Sequence, residues 1–582
     1  MPRTVAIGAQ DFAVLRERGC FLVDKTAFVT DWWRAEDHVT LVCRPRRFGK
    51  TLNMSMVECF FSNRYACRAD LFEGMRVWDE PDMRAEQGAW PVVAVSFSAA
   101  KGSSAEAVVR RICEQIAYAW RAHRRGIDEG ALGERERDVL TGKAPSVDPL
   151  DAPSSLARLC ELLALSAGRR CIVLLDEYDT PLHEAWVGGF WDEVSEFVRA
   201  LFNATFKSNP NLERALLTGI TRVARESIFS DLNNPKVVTA TSPEYATSFG
   251  FTEAEVLDAM GEFGLDGPGA FDDVRRWYDG FVFGGVPDIY NPWSITNYLD
   301  TGRLAPYWAN TSGNALVSKI VREGDADLKA DFETLLSGDA IEKQFDEQVS
   351  FDDLGRRPGA VWGLLVAGGY LRVTAEGGEG GARGGSAYVW PRDESAGLAP
   401  SDLAPARLSI TNHEVALAFD GMVRGWFDAV SSRYNGFVRA LLAGDLDAMN
   451  AYMNDVALDT FSLFDTGARP SGTEPERFYH GFVLGLLVEL RGRYIVRSNR
   501  ESGFGRYDVM LEPVDPARDD GIVLEFKVHN PRREETLEDT VASALAQIAD
   551  RGYANELVSR GVPADRVRAY GFAFEGKRVL IG

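Results

Sequence analysis

Short runs of apolar and β-branched residues alternate with segments of helical period through residues 1–245. The runs at 39–43, 92–97, 171–175, 215–220 and 237–241 have the length and composition of strands. Between them, 50–61, 105–120 and 155–165 repeat apolar positions every three or four residues, as helices with one buried face do. Such alternation predicts a parallel sheet covered by helices on both faces. The polar stretch 126–149 reads as an exposed loop or a short helical excursion.

From 252 to 329 helical period dominates. It is interrupted by WYDGFVFG (277–284) and IYNPWSI (289–295), where aromatics and glycine predict a tightly packed corner. The glycine-rich segment 375–385 predicts a flexible tip between strands at 370–374 and 387–390, together a hairpin. Helices are expected to resume as far as 464. The polar, Gly- and Pro-containing stretch 466–474 reads as a linker. Strand-like runs then return, which predicts a separate α/β unit at the carboxyl end.

Composition narrows the picture. A chain of 582 residues is long enough for several domains. No apolar run approaches the ~20 residues needed to span a bilayer, and the first residues lack the pattern of a secretion signal. No membrane partner is expected. Seven dispersed cysteines without a CxxC pair read as reduced thiols of a cytoplasmic protein, not as a disulfide framework or a zinc site. The formal charge of −22, from 64 basic and 86 acidic residues, argues against passive coating of nucleic acid. A local basic channel remains compatible with it.

The chemistry concentrates in two places. Gly49-Lys50-Thr51 ends a loop between the strand 39–43 and the helix 50–61. In that setting helix-start N–H groups face an anion, Lys50 neutralises it and Thr51 can ligate Mg²⁺. Arg46, Arg47 and Phe48 complete the loop. Arg44 stands where such a loop usually opens with glycine; like Arg46 and Arg47, it is expected to add positive charge. The strand 171–175 leads into Asp176-Glu177, where Asp176 would hold the metal and Glu177 polarise an attacking water. Past the strand 215–220, Arg222 and Arg225 are candidates for a charge-stabilising finger, or ordinary surface arginines. The plainer alternative for the rest is a helix start at Gly-Lys-Thr and a helix cap at Asp-Glu.

The second place is the carboxyl-terminal unit. GRYDVML (505–511) is a strand carrying Asp508, and GIVLEFKV (521–528) is a strand carrying Glu525 and Lys527 on one face. Paired, the two strands would let Asp508 and Glu525 share a Mg²⁺, with Mn²⁺ an alternative, and set Lys527 beside the attacking water. Glu489 lies at the edge of the apolar arc of a helix over 478–490 and is a third candidate acid. Gln547, on a later helix, is a candidate for steadying a phosphate. The plainer reading makes Glu525 and Lys527 a same-face ion pair. Arg491, Arg493, Arg497, Arg500 and Arg506 crowd this region against a single Glu501, which reads either as a phosphodiester footprint or as a solvated basic face.

These motifs resemble a bacterial family that pairs an AAA-ATPase-like domain with a carboxyl-terminal PD-(D/E)XK nuclease domain. The resemblance rests on FLVDKT (21–26), RPRRFGKTLNMSM (44–56), LLDEYDTPL (174–182), LLTGITRV (216–223), SIFSDLNN (227–234), FGFTEAEV (249–256), WYDGFVFG, YNPWS, SGFGRYDVMLEP (502–513) and VLEFKV (523–528). Arginine at position 44 is part of it. The resemblance implies an α/β fold: an AAA-like P-loop domain at 1–245, a helical lid-like segment at 246–335, a helical, winged-helix-like region at 336–465 and a nuclease domain at 466–582. It implies ATP and Mg²⁺ as cofactors. Arg46, Arg47, Phe48, Gly49, Lys50, Thr51 and Asp176 would bind them, with Glu177 catalytic. Asp508, Glu525, Lys527 and Glu489 would serve cleavage of nucleic acid, DNA ahead of RNA, in a possible homo-oligomer, with an association with defence or mobile elements. The alternative is a nucleotide-switched scaffold that binds nucleic acid without cutting it.

Overall fold

The computed structural model describes residues 2–221, 235–308, 317, 326–336, 338–345, 358–374, 405–419, 431–460, 490, 493–498, 501–502, 505–506, 509–529, 536–575 and 578–582. The chain divides into two compact units, 1–320 with 338–418, and 321–337 with 419–582. The segment 336–465 is therefore shared between them.

The first unit is built on five parallel strands: β1 (Val39–Cys43), β2 (Val92–Ser96), β3 (Cys171–Asp176), β4 (Leu212–Gly219) and β5 (Lys236–Val238), in the order β2-β3-β4-β1-β5. β1 and β3 are buried along their whole length. That is why they read as unbroken apolar runs: both faces of a parallel sheet lie under helices. Register brings Cys43 opposite Gly219 and Ser96 opposite Asp176. The carboxyl ends of β1, β3 and β4 thus finish along one edge, where ligands of parallel α/β sheets bind. The helix α1 (Lys50–Phe61) leaves that edge from β1, and α2 (Thr180–Gly188) follows β3.

The expected strands and helices of this part form, with ends moved by a few residues. Within 126–149 a short helix, Glu134–Thr141, is present. The WYDGF and YNPWS region departs from the expected corner. A three-stranded antiparallel sheet forms instead from β6 (Phe251–Thr252), β7 (Phe281–Phe283) and β8 (Val286–Tyr290), and α3 (Pro292–Thr301) follows. Gly284-Gly285, both at positive φ, turn β7 into β8. Gly280 is obligatory for two reasons: its φ is 125°, and a Cβ there would lie 2.0 Å from the Thr411 carbonyl oxygen.

A second antiparallel sheet comprises β9 (Ile341–Lys343), β10 (Leu371–Thr374) and β11 (Ala406–Ile410), in the order β10-β11-β9. The hairpin partner expected at 387–390 lies outside the described residues, as do the tip 375–385 and the linker 466–474. The partner observed for β10 is β11.

The second unit holds a five-stranded mixed sheet: β12 (Tyr494–Ser498), β13 (Val509–Pro513), β14 (Gly521–Val528), β15 (Val567–Glu575) and β16 (Arg578–Ile581), in that spatial order. β14 and β15 run parallel, and the other neighbours are antiparallel. One face of β14 (Ile522, Leu524, Phe526) packs with Phe572, Phe574 and the helices Ser431–Ala443 and Leu446–Thr460. The other face lies under α4 (Leu537–Arg551). A Cβ on Gly571 would meet the Val541 carbonyl oxygen at 2.9 Å and the Ala544 methyl at 3.0 Å. The absent side chain lets α4 sit close over β15, beside Glu525, which is opposite Gly571 in register.

The motif WYDGF carries a carboxyl group, Asp279, that holds its proton above the usual carboxylate range. Burial and then the neighbouring Asp288 carboxylate push Asp279 up to about 6, while Arg275 and the Gly280 N–H pull it down. The folded chain therefore holds a proton that the unfolded chain has released, and stability falls as pH rises from about 4 through 6. Asp279→Asn removes that fall. Thermal melts should show the variant gaining on the parent at pH 8, with the gain shrinking toward pH 4.

Candidate functional site

β1 delivers the chain into the 44–51 loop. Arg47 and Gly49 both take the left-handed conformation, at φ 66° and 77°. Gly49 caps α1, so the free N–H groups of its first turn open toward the loop. Lys50 is buried, and its Nζ donates to the carbonyls of Arg44 and Pro45, each at 2.8 Å. Burial pushes its ammonium below the usual lysine range, and the carboxylates of Glu177, Asp179 and Asp176 oppose that. A buried cation resting on neutral carbonyls is poised to exchange them for an anion.

Thr51 Oγ1 donates to Asp176 Oδ2 at 2.7 Å, and Thr218 Oγ1 donates to Asp176 Oδ1. β4 separates β1 from β3, so Thr218 is the strand residue that reaches the carboxylate from between them. Glu177 follows at φ 50°, a costly conformation for a non-glycine residue. Thr180 Oγ1 donates to Glu177 Oε2 at 3.1 Å. Asp179 secures the neighbouring turn by accepting from the Ile220 and Thr221 N–H groups at 2.8 and 3.2 Å. Gly219 permits this closeness, since a Cβ there would stand 2.6 Å from the Tyr178 ring. A cavity of about 450 Å³ opens onto Arg46, Lys50, Thr51, Glu177 and Trp293. A hydroxyl and a carboxylate in contact beside a lysine and a helix N-terminus suit a magnesium-bound phosphate chain.

Arg44 is a correction. Its charge was expected to join the phosphate site. The side chain is fully buried and turned away. Nη1 donates to the Cys43 and Thr239 carbonyls, Nη2 donates to the Glu244 carbonyl at 3.2 Å, and the guanidinium lies 4.7 Å over the Phe283 ring. Phe48 is also fully buried, packed 4.7 Å from Phe281 and 5.3 Å from Phe283, so its side chain belongs to the core. Arg47 lies 4.3 Å over the Trp293 ring.

The motifs that sequence left without chemistry grip this loop. The Arg46 carbonyl accepts from Asn291 Nδ2 at 3.3 Å and from Trp308 Nε1 at 3.2 Å. Asn291 Oδ1 caps α3 by accepting from the Trp293 and Ser294 N–H groups. The pattern Asn-Pro at a helix start is a readable cap signal, whereas its second role is not, since Arg46 is 245 positions away. In FLVDKT, Asp24 accepts from the Thr26 and Arg76 N–H groups, and Lys25 pairs with Glu255 at 2.6 Å. Asp24 and Thr26 thus brace the fold. Arg222 and Arg225 lie outside the described residues.

In the second unit Glu525 and Lys527 share a face of β14, and α4 sets Gln547 against both. Gln547 Nε2 donates to Glu525 Oε1, and Lys527 Nζ donates to Gln547 Oε1 at 2.9 Å. Glu525 is 3% exposed. The direct Glu525–Lys527 ion pair of the plainer reading is replaced by this amide bridge. The last register pair between β13 and β14 joins Val509 to Leu524. Asp508 and Glu489 lie outside the described residues. Among the described residues no group of three His, Cys, Asp or Glu side chains is placed to hold a metal ion.

Two of the five clustered arginines have carboxylate partners among the described residues. Arg493 pairs with Asp519 at 2.6 Å and Arg497 with Glu512 at 2.8 Å. Counting charge along 489–508 omitted these carboxylates, which arrive from β13 and the turn after it. Arg491 and Arg500 lie outside the described residues.

Residues 6–229 match the family model described as a predicted AAA-ATPase. Residues 474–582 match that of the PD-(D/E)XK nuclease superfamily. The chain carries an AAA-ATPase-like domain and a PD-(D/E)XK nuclease-superfamily domain. A curated relative, an uncharacterized protein in the vnfD 5' region of Azotobacter chroococcum mcd 1, is 28% identical over 352 residues, 59% of this chain and 61% of its own length. A Walker-type ATPase of Pyrococcus abyssi aligns at 13% identity with a TM-score of 0.35, over 68% of this chain and 95% of its own. No helix among the described residues is long and apolar enough to cross a membrane.

In the ATPase-like domain, Arg44→Gly restores the usual opening of a phosphate loop. It also strips the Thr239 and Glu244 carbonyls of their buried donor. Urea unfolding should show a loss of about 2–4 kcal/mol; an unchanged midpoint would show that Arg44 is not a structural tie.

Proposed function

We propose that this chain is an ATP-binding, metal-dependent nuclease in which the nucleotide state of the first domain controls phosphodiester hydrolysis by the last. The observation that carries the reading is the convergence of Glu525 and Lys527 on the Gln547 amide, in a chain that also brings Lys50 and Thr51 to one cavity, with Asp176 hydrogen-bonded to Thr51. The family matches at both ends support it.

At the first site Lys50 and the α1 N-terminus would take the phosphates. Thr51 and Asp176 would hold Mg²⁺, and Glu177 would orient water, with Arg222 or Arg225 as charge-stabilising fingers. The backbone of Arg46, Arg47, Phe48 and Gly49 would complete the cradle. At the second site Glu525, with Asp508 and Glu489, would hold Mg²⁺ or Mn²⁺. In sequence Asp508 precedes Val509 and Glu525 follows Leu524, the last register pair between β13 and β14. A divalent ion there neutralises phosphate charge and acidifies its bound water. Lys527 would orient that water, and Gln547 would give up its bridge to steady the phosphate. The substrate would be nucleic acid, DNA ahead of RNA, and the ATPase-like domain would assemble with further copies.

The test is plasmid cleavage with Mg²⁺ or Mn²⁺, with and without ATP. The parent should nick DNA at a rate that ATP changes. Lys527→Ala should lose about 100-fold or more of that rate. Lys50→Ala should keep the chemistry but lose the response to ATP. Retention of DNA on filters without nicking would favour the binding scaffold, and cleavage untouched by Lys527→Ala would reject the assigned centre.

A further inference from the structure

The loop after β2 presents a cation to the cavity that no motif marks. Ser96, at the end of β2, lies opposite Asp176, and the Phe97 N–H donates to the Asp176 carbonyl at 2.9 Å. The loop is tight. Phe97 and Ala100 are fully buried, the Ala100 N–H donates to the Phe97 carbonyl, and the Lys101 N–H donates to that of Ala99. Gly102 packs so closely on the next helix, Ala105–Ala122, that a Cβ would meet the Ala107 methyl at 2.8 Å. With its apolar residues anchored inward, the loop turns Ser98 and Lys101 to the cavity wall, together with Glu177 and His183.

Lys101 differs from three other cations there. Lys25 is paired to Glu255, Arg47 lies over Trp293, and Lys50 rests on two carbonyls. Among the described residues the Lys101 ammonium has no ion pair. It lies near His183, whose imidazole burial keeps neutral; Asp179 opposes that, and Arg46 and Lys101 add to it. A neutral imidazole adds no charge beside Glu177, so this flank of the cavity depends on Lys101 and Arg46 for positive charge. The oxygens of a terminal phosphoryl group carry negative charge that a cation on this flank would offset.

We propose that Lys101 contacts the terminal phosphate of a bound nucleoside triphosphate, from the Glu177 and His183 side. The cation for that phosphate then comes from the same chain, whatever a neighbouring copy adds. The proposal rests on the nucleotide-site reading above. Because ADP lacks the group that Lys101 would touch, the residue sets the preference for triphosphate over diphosphate.

Calorimetric titration of the full chain with MgATP and MgADP tests it, on the parent, Lys101→Met, Lys101→Arg and Lys50→Ala. Lys101 is exposed, so its variants should fold. The expected result is a loss of ATP affinity of about tenfold or more in Lys101→Met, with ADP affinity unchanged, partial recovery in Lys101→Arg and loss of both ligands in Lys50→Ala. An ATP-to-ADP ratio in Lys101→Met equal to the parent's would overturn the role of Lys101 and leave the site standing. A parent that binds neither nucleotide would overturn both.

Discussion

The hydrogen bond from Thr51 to Asp176 joins the start of α1 to the end of a strand two places away in the sheet. Everything proposed for the first domain depends on that contact. It exists because three strand ends finish level, and because Thr218, on the strand between, holds the other carboxylate oxygen. A carboxylate with 5% exposure tolerates burial only when its oxygens are bonded. Two hydroxyls do so here while leaving lone pairs for a metal shell. Lys50 solves the same problem on the opposite side, with carbonyls as provisional partners.

The loop that carries Lys50 and Thr51 is not self-supporting. Three successive carbonyls, those of Arg44, Pro45 and Arg46, are all occupied: the first two by Lys50, the third by Asn291 and Trp308. Arg44 reaches the other way, into the 239–244 turn. Glycine at that position would leave the turn without its donor, which explains why arginine is used where flexibility would seem the requirement. The YNPWS and WYDGFVFG motifs are thus part of the same site: one caps α3 and holds the loop, the other supplies the aromatic floor under Phe48. A ligand that drew Lys50 away from its two carbonyls would be felt along this chain of contacts, as far as Asn291 and Trp308.

What was readable in the sequence follows sequence distance. The strand, loop and helix over 39–61 are local, and so is the face shared by Glu525 and Lys527. Each was legible from spacing alone. The fate of Arg44 was not, since its acceptors lie about 200 positions on. The partners of Arg493 and Arg497 were hidden for the same reason, because a window of charge cannot see carboxylates brought in by an adjacent strand and the turn after it. The hairpin of β7 and β8 is a different case. Gly284-Gly285 between aromatic runs is a turn signal in plain view, but the surrounding helical period outweighed it.

In the proposed site Thr51 and Asp176 would hold a metal ion next to the phosphates. Titration of ATP into the full chain in Mg²⁺ and again in EDTA, with the parent and Asp176→Asn, tests it most directly. The account predicts much tighter ATP binding with Mg²⁺ in the parent, and an affinity in Asp176→Asn that no longer responds to the metal. Equal binding of metal-free ATP and MgATP by the parent, or a full Mg²⁺ response in Asp176→Asn, would contradict it.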